Sequence, residues 1–163
     1  MKRHEGLVPL SHDHHQALLV ALRLKKGGPS SPRDSWPADP AGQRKALSEF
    51  AERELLPHFI LEEELLFPPC LSSGGDLGKA ATDLESDHRT MRSLLAKMAT
   101  AASGDLPALL SDFGNLLEVH IRKEERSFFP LVEEAIEKRE LSIDLDLLAT
   151  KYALYHVPPG CET

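Results

Sequence analysis

The sequence has few of the features that mark secreted, membrane-bound or nucleic-acid-binding proteins. Its two cysteines, Cys70 and Cys161, are far apart in proline-rich contexts, which predicts no disulfide framework and favours a reducing cytoplasm. No apolar run approaches the roughly 20 residues of a membrane span, and no apolar segment follows the N-terminal charges, so neither an anchor nor a signal peptide is expected. A net charge of −7 without a basic stripe argues against nucleic acid or an anionic membrane as a partner.

The composition that remains is that of a helical protein. β-Branched and aromatic residues are sparse, whereas Leu, Ala, Glu, Lys and Arg are abundant, so an all-α fold is expected. We expect a single domain over residues 1–163, with a core at about 7–135 and a C-terminal extension over 136–163 that holds a short extra helix. Pro57 predicts a helix kink, Pro68 a helix end and Pro130 a break or bend.

One motif occurs twice, over residues 58–68 and 120–130. Each copy begins with a histidine, has a glutamate four residues later and ends in Phe-Pro. Residues four apart lie on one face of an α-helix, so each copy can direct an imidazole and a carboxylate at one point. A second motif, Leu-x-x-Asp-His, ends at His14 and again at His88. The chain is therefore two similar halves, and this duplication predicts four antiparallel helices related by a pseudo-two-fold axis.

All of these histidines and glutamates fall on the apolar faces of their helices. Leu117 and Leu116, for example, are three and four residues before His120. A buried carboxylate without a partner is costly, so two of them beside four imidazoles are most simply explained by bound cations. Six ligands exceed the needs of one tetrahedral zinc ion and fit two carboxylate-bridged iron ions, although zinc stays open. The ferritin-like pattern fits poorly, because the chain has a single Glu-x-x-His triplet, at Glu85–His88.

At these residues the sequence resembles the hemerythrin-like (HHE cation-binding) family, over roughly residues 7–135. The resemblance implies an up-down-up-down four-helix bundle around a non-haem di-iron centre, with Glu62 and Glu124 as bridges. It implies the metal ligands His14, His58, Glu62, His88, His120 and Glu124.

The sequence departs from the oxygen-carrying members of that family in two places. Those proteins have a His-x-x-x-His pair on the third helix, where this chain has Leu84 four residues before its histidine and Arg92 four after it. They also end with His-x-x-x-x-Asp, where this chain has His-x-x-x-Glu. One nitrogen ligand is thus missing. His15 is a candidate additional ligand, and the other candidates are Glu63, Glu125, His156 and water.

Three functional hypotheses follow from the sequence. The first is a cytoplasmic iron-binding protein that binds oxygen or another small diatomic molecule for sensing, storage or protection. The second is a di-iron enzyme acting on peroxide, oxygen or nitric oxide. The third is a helical bundle that holds a structural ion such as zinc, or none. No nucleophile arrangement is legible, so we rank the non-enzymatic hypothesis first. The oligomeric state stays open.

Overall fold

Long helices make up most of the chain, and the computed structural model describes residues 3–155. A 3₁₀ turn over Glu5–Leu7 leads into α1, Val8–Lys26, which ends at Gly27 in the left-handed conformation. An irregular segment over residues 28–39 follows, and its Trp36 packs against the hydrophobic core. The remaining helices are α2 Pro40–Phe50, α3 Leu56–Leu61, α4 Phe67–Ser73, α5 Gly75–Thr100, α6 Leu106–Lys123, α7 Phe129–Glu137 and α8 Leu145–Tyr155.

Three π-turns join these helices into longer ones. They span Ala51–Leu55, Glu62–Leu66 and Glu124–Phe128, so that helical backbone runs without a break from α2 through α4 and from α6 through α7. Each π-turn closes at the residue just before a proline, because the amide of Leu56, Phe67 or Phe129 donates to the carbonyl five residues back.

The expected helix end at Pro68 is therefore wrong, and the interruptions expected at the other two prolines take the form of π-turns. A proline ring clashes with the carbonyl four residues before it in a regular α-helix. The wider π-turn moves that carbonyl aside, so the helix continues through the proline instead of stopping.

Buried apolar side chains form two clusters, one on each side of a polar layer. This layer consists of the buried residues His14, His58, Glu62, His88, His120 and Glu124. The first cluster includes Val20, Phe50, Met91 and Phe113, and the second includes Leu10, Phe67, Ala81 and Phe128. α1 runs from the second cluster to the first, α2 to α4 from the first to the second, α5 back to the first, and α6 to α7 again to the second. Each of these four helical segments therefore crosses the polar layer once, in alternating order. Residues 3–155 contain no β-strand.

α1 and α6 pack closely against each other at Gly114. A Cβ atom placed there would lie 2.9 Å from the carbonyl oxygen of Ala21 and 2.9 Å from Cβ of Leu24. The absent side chain thus sets the distance between the two helices. In the described part of the chain, no helix is both long and apolar enough to cross a bilayer.

Candidate metal centre

The polar layer between the two apolar clusters contains the six residues that the sequence singled out. All six are buried. Their side-chain nitrogen and oxygen atoms form two groups, and in each group the possible ligand atoms lie within 4.8 Å of one another. Two glutamates belong to both groups. The groups are His14, His58, Glu62 and Glu124, which we call the first subsite, and Glu62, His88, His120 and Glu124, which we call the second subsite.

Each shared glutamate contacts one histidine of each subsite. Glu62 Oε1 is 3.4 Å from His58 Nε2, one helical turn earlier, and its Oε2 is 3.4 Å from His88 Nε2. Glu124 Oε2 is 3.4 Å from His120 Nε2, again one turn earlier, and 3.1 Å from Nε2 of His14. Both glutamates are thus placed to bridge the two subsites.

The separations between these atoms are those of ligands on a common ion. Two ligand atoms that each lie about 2.1 Å from one cation, at angles of 90–110°, are roughly 3.0–3.4 Å apart. The two Nε2 atoms of the first subsite are 3.1 Å apart, and those of the second are 3.2 Å apart. The donor set therefore fits a cation in each subsite.

The other ring nitrogen of every histidine faces a carboxylate. His14 Nδ1 is 2.7 Å from Glu125 Oε1, and His88 Nδ1 is 2.8 Å from Glu63 Oε1. In the same way, Nδ1 of His58 is 3.0 Å from Asp13 Oδ2. The fourth pair, between Nδ1 of His120 and Oδ2 of Asp87, is looser at 3.5 Å. Because an ionised carboxylate only accepts, each Nδ1 carries the proton and leaves an Nε2 lone pair directed into the layer.

The centre of the layer is consequently lined by acceptors alone. All four oxygens of Glu62 and Glu124 are buried without a conventional hydrogen bond. Four Nε2 lone pairs of neutral imidazoles meet them there, and acceptors at about 3 Å repel unless a proton or a cation lies between them. A metal cation, or protons on the facing atoms, would satisfy these acceptors.

Without a metal, protons must supply that charge. Burial disfavours the charged imidazole of His14, but the carboxylates of Glu124 and Glu125, at 3.1 and 2.7 Å from its two ring nitrogens, outweigh this effect and raise its pKa to about 9. Burial is likewise outweighed for His58, whose pKa is raised to about 10 by the charge of Glu62 and the hydrogen bond to Asp13. Burial opposes ionisation of Glu62 too, but the neighbouring imidazoles hold its pKa well below the usual range. Metal ions would compete with these protons for the same atoms.

Each of the four outer carboxylates also has a second partner. Asp13 accepts a hydrogen bond from the Tyr152 hydroxyl at 2.7 Å, and Asp87 pairs with Lys123 at 2.7 Å. The other two carboxylates pair with arginines. Glu63 receives two hydrogen bonds from Arg92, at 2.6 and 3.0 Å, and Glu125 receives one from Arg3 at 2.6 Å.

Sequence reasoning assigned no role to the outer carboxylates Asp13 and Asp87, and it placed Glu63 and Glu125 among the candidate ligands. The oxygens of Glu63 and Glu125 instead face histidine Nδ1 atoms and arginine side chains. The signal was present, since each outer carboxylate directly precedes a ligand-type histidine or follows a ligand-type glutamate. His15 is exposed and belongs to neither group, although its neighbour is buried at the site.

A small cavity adjoins the metal centre. It has a volume of about 10 Å³, and its lining includes His14 and His58 of the first subsite and His120 of the second. That volume corresponds to about one water molecule. His88 does not line the cavity, because the Phe59 ring stacks on it at 3.7 Å between centroids.

Two buried His/Glu groups that could each hold a metal ion, on helices that face each other, define the class of helical metal-binding proteins. Comparison with family models gives the same class, because the hemerythrin HHE cation binding domain matches residues 7–132, well over half of the chain. The chain belongs to the hemerythrin HHE cation-binding family. Comparison with curated proteins and comparison with solved structures gave no match.

Proposed function

We propose that this protein binds two iron ions in the buried polar layer and, through them, oxygen or another small diatomic molecule for sensing, storage or protection. The observation that carries the proposal is the buried set of acceptors around Glu62 and Glu124, in which ligand-capable atoms lie at the separations expected around a bound cation. The ligands are three from each half of the chain: His14, His58, Glu62, His88, His120 and Glu124.

The proposed architecture is an up-down-up-down bundle of four helices within a single domain over residues 1–163. Its support is the alternating order in which α1, α2 to α4, α5, and α6 to α7 pass between the two apolar clusters. Antiparallel packing in this order places α1, which carries His14, and α5, which carries His88, beside the two helical segments that carry Glu62 and Glu124.

The choice of iron rests on the number and type of the donors. Four imidazole nitrogens and two shareable carboxylates exceed a tetrahedral zinc site, and mixed nitrogen and carboxylate donors suit iron. Iron, when bound, supplies the redox-active coordination of a small diatomic ligand. The protein's own contribution is to fix each imidazole through Nδ1, to neutralise the ions with Glu62 and Glu124, and to exclude bulk water with Phe59 and Phe67.

We expect the ligand at this site to be small. The cavity beside His14 and His58 has room for about one water molecule, which favours a diatomic molecule over a larger substrate. A reducing cytoplasm, without nucleic acid or membrane partners, completes the proposal. The acidic net charge of −7 argues against nucleic acid and anionic membranes as partners.

Metal analysis of the purified protein tests the proposal. Protein from iron-replete cells should contain two iron ions per chain, and its visible absorption should change between oxygen-free and oxygenated buffer. His14→Ala should lower the metal content, whereas His15→Ala, at the adjacent exposed histidine, should not. Protein that holds no iron and cannot be reconstituted would refute the proposal. Turnover of added peroxide would favour the di-iron enzyme instead, and zinc at one ion per chain would favour a structural role.

A further inference from the structure

The two subsites are alike in their inner residues and differ in what holds their outer carboxylates. In the second subsite both carboxylates are held from within the helices that carry the ligands. Arg92 of α5 binds Glu63, and Lys123 of α6 binds Asp87. Both partners lie inside the residues matched by the family model.

In the first subsite the corresponding partners come from outside that range. Tyr152 of α8 donates to Asp13 Oδ1, while Asp13 Oδ2 faces His58 Nδ1. Arg3, before the first turn of helix, contacts Glu125 Oε2 and the Glu125 carbonyl oxygen, while Glu125 Oε1 faces His14 Nδ1. Each histidine of the first subsite is thus connected through one carboxylate to a segment at one end of the described chain.

Resting on the proposed metal binding, we propose that Tyr152 and Arg3 are positioning residues for the first subsite alone, so that the terminal segments set the affinity of one ion independently of the other. Both histidines of the first subsite line the small cavity, as does His120 of the second subsite. Segments outside the matched helices therefore act on one of the two ion positions beside that cavity.

The physical basis is the fixing of a ligand through its second nitrogen. An imidazole is held in one tautomer and one orientation by the carboxylate at Nδ1, and loss of such a partner typically costs 10–100-fold in metal affinity. Burial, and then the neighbouring Asp13 carboxylate, raise the pKa of the Tyr152 hydroxyl, so the phenol keeps its proton and stays a donor. Without that donor, Asp13 is held less firmly against His58.

Cobalt(II) binding can measure each subsite separately, with its visible spectrum as the signal. His120→Ala removes a ligand that belongs to the second subsite, and His58→Ala removes one that belongs to the first. In the His120→Ala background, Tyr152→Phe should weaken cobalt binding about 10-fold or more and change the cobalt spectrum. In the His58→Ala background the same substitution should leave cobalt affinity unchanged.

Three further variants complete the test. Arg3→Gln should behave like Tyr152→Phe, and Lys123→Met should show the opposite pattern, weakening cobalt binding only in the His58→Ala background. Lys151→Ala serves as the matched control, because Lys151 is the neighbour of Tyr152 on α8 and pairs with Glu64 at the surface. It should change neither subsite.

The outcomes separate this inference from the proposed function. If the unmodified protein binds two cobalt ions and Tyr152→Phe weakens both backgrounds equally, or neither, the positioning role is refuted while metal binding stands. An equal effect of Lys151→Ala would show that loosening of α8 is the cause, and would refute it too. If the unmodified protein binds no cobalt or iron, both proposals fall.

Discussion

Replacing Glu62 by glutamine should separate metal binding from stability. Glu62→Gln keeps the volume of the side chain and removes one charge from a fully buried position where neither oxygen has a conventional hydrogen bond. Because Glu62 belongs to both subsites, the substitution should weaken the binding of both ions, whereas a change at His58 affects mainly one.

The metal-free protein should tolerate this change. Removing one partner of a buried ion pair usually destabilises a protein by about 3–5 kcal/mol, because the remaining charge is left uncompensated. Here the imidazoles that neutralise Glu62 can release their protons once its charge is gone, so they leave no uncompensated charge behind. We therefore expect the free energy of unfolding of metal-free Glu62→Gln to lie within about 1 kcal/mol of the unmodified protein.

With metal bound, the unmodified protein should be clearly more stable than Glu62→Gln. A ligand present at about 1,000 times its Kd stabilises the folded state by about 4 kcal/mol. In a domain of this size that corresponds to roughly 8–16 °C in Tm, which Glu62→Gln should lose. Thermal unfolding with excess iron and with chelator measures both quantities.

A control away from the metal centre fixes the scale. The amide of Gln43 is buried and donates to the carbonyl oxygens of Gly27 and Ala38, at 3.0 and 3.1 Å. Gln43→Met should therefore destabilise the protein by about 1–3 kcal/mol whether or not metal is present. If Glu62→Gln also destabilises metal-free protein by more than about 2 kcal/mol, Glu62 acts as a structural ion-pair partner and our reasoning fails.

Three further predictions concern packing, thiol access and pH. Gly114→Ala should destabilise the protein by about 1–3 kcal/mol in chemical denaturation, because its Cβ would lie 2.9 Å from the Ala21 carbonyl oxygen, whereas Gly104→Ala meets nothing within 4 Å and should be neutral. Cys70 is fully buried and burial raises its pKa to about 12, so a thiol reagent should modify it only after unfolding. Rapid modification of Cys70 in a native Cys161→Ser variant would contradict this prediction. The pKa of His58 is raised to about 10 in metal-free protein, so that its charge stabilises the fold below about pH 6.5 and this contribution disappears as pH rises through 10. The Tm of metal-free protein should therefore fall between about pH 6.5 and pH 10, and metal added at pH 7 should release protons. A Tm that rises with pH over this range would refute the raised pKa of His58.

The inner residues of the site were predictable because their signal is local and duplicated. A histidine and a glutamate four residues apart must share a helix face, and the apolar neighbours of His120 and His58 show that this face is buried. The helical class follows equally from composition. Neither step requires knowledge of which residues meet at long range.

Two features could not be read from local pattern. The rule that proline ends a helix holds for regular α-helix, so it failed at Pro68, where a π-turn removes the clash on which the rule depends. The partners Tyr152 and Arg3 lie 139 and 122 residues from the carboxylates that they contact. No periodicity in the chain marks a contact of that kind, since it depends on where the terminal segments pack.

The π-turns at Glu62 and Glu124 also bear on how the chain arose. Each begins at the shared glutamate and closes at the phenylalanine before a proline, so the two lie at equivalent places in the two halves. A π-turn amounts to one residue inserted into an α-helix. If the two halves arose by duplication, one insertion before that event explains both of these turns, whereas the π-turn over Ala51–Leu55 has no counterpart among the described residues of the second half. On that account the two turns and the glutamates at which they begin were inherited together.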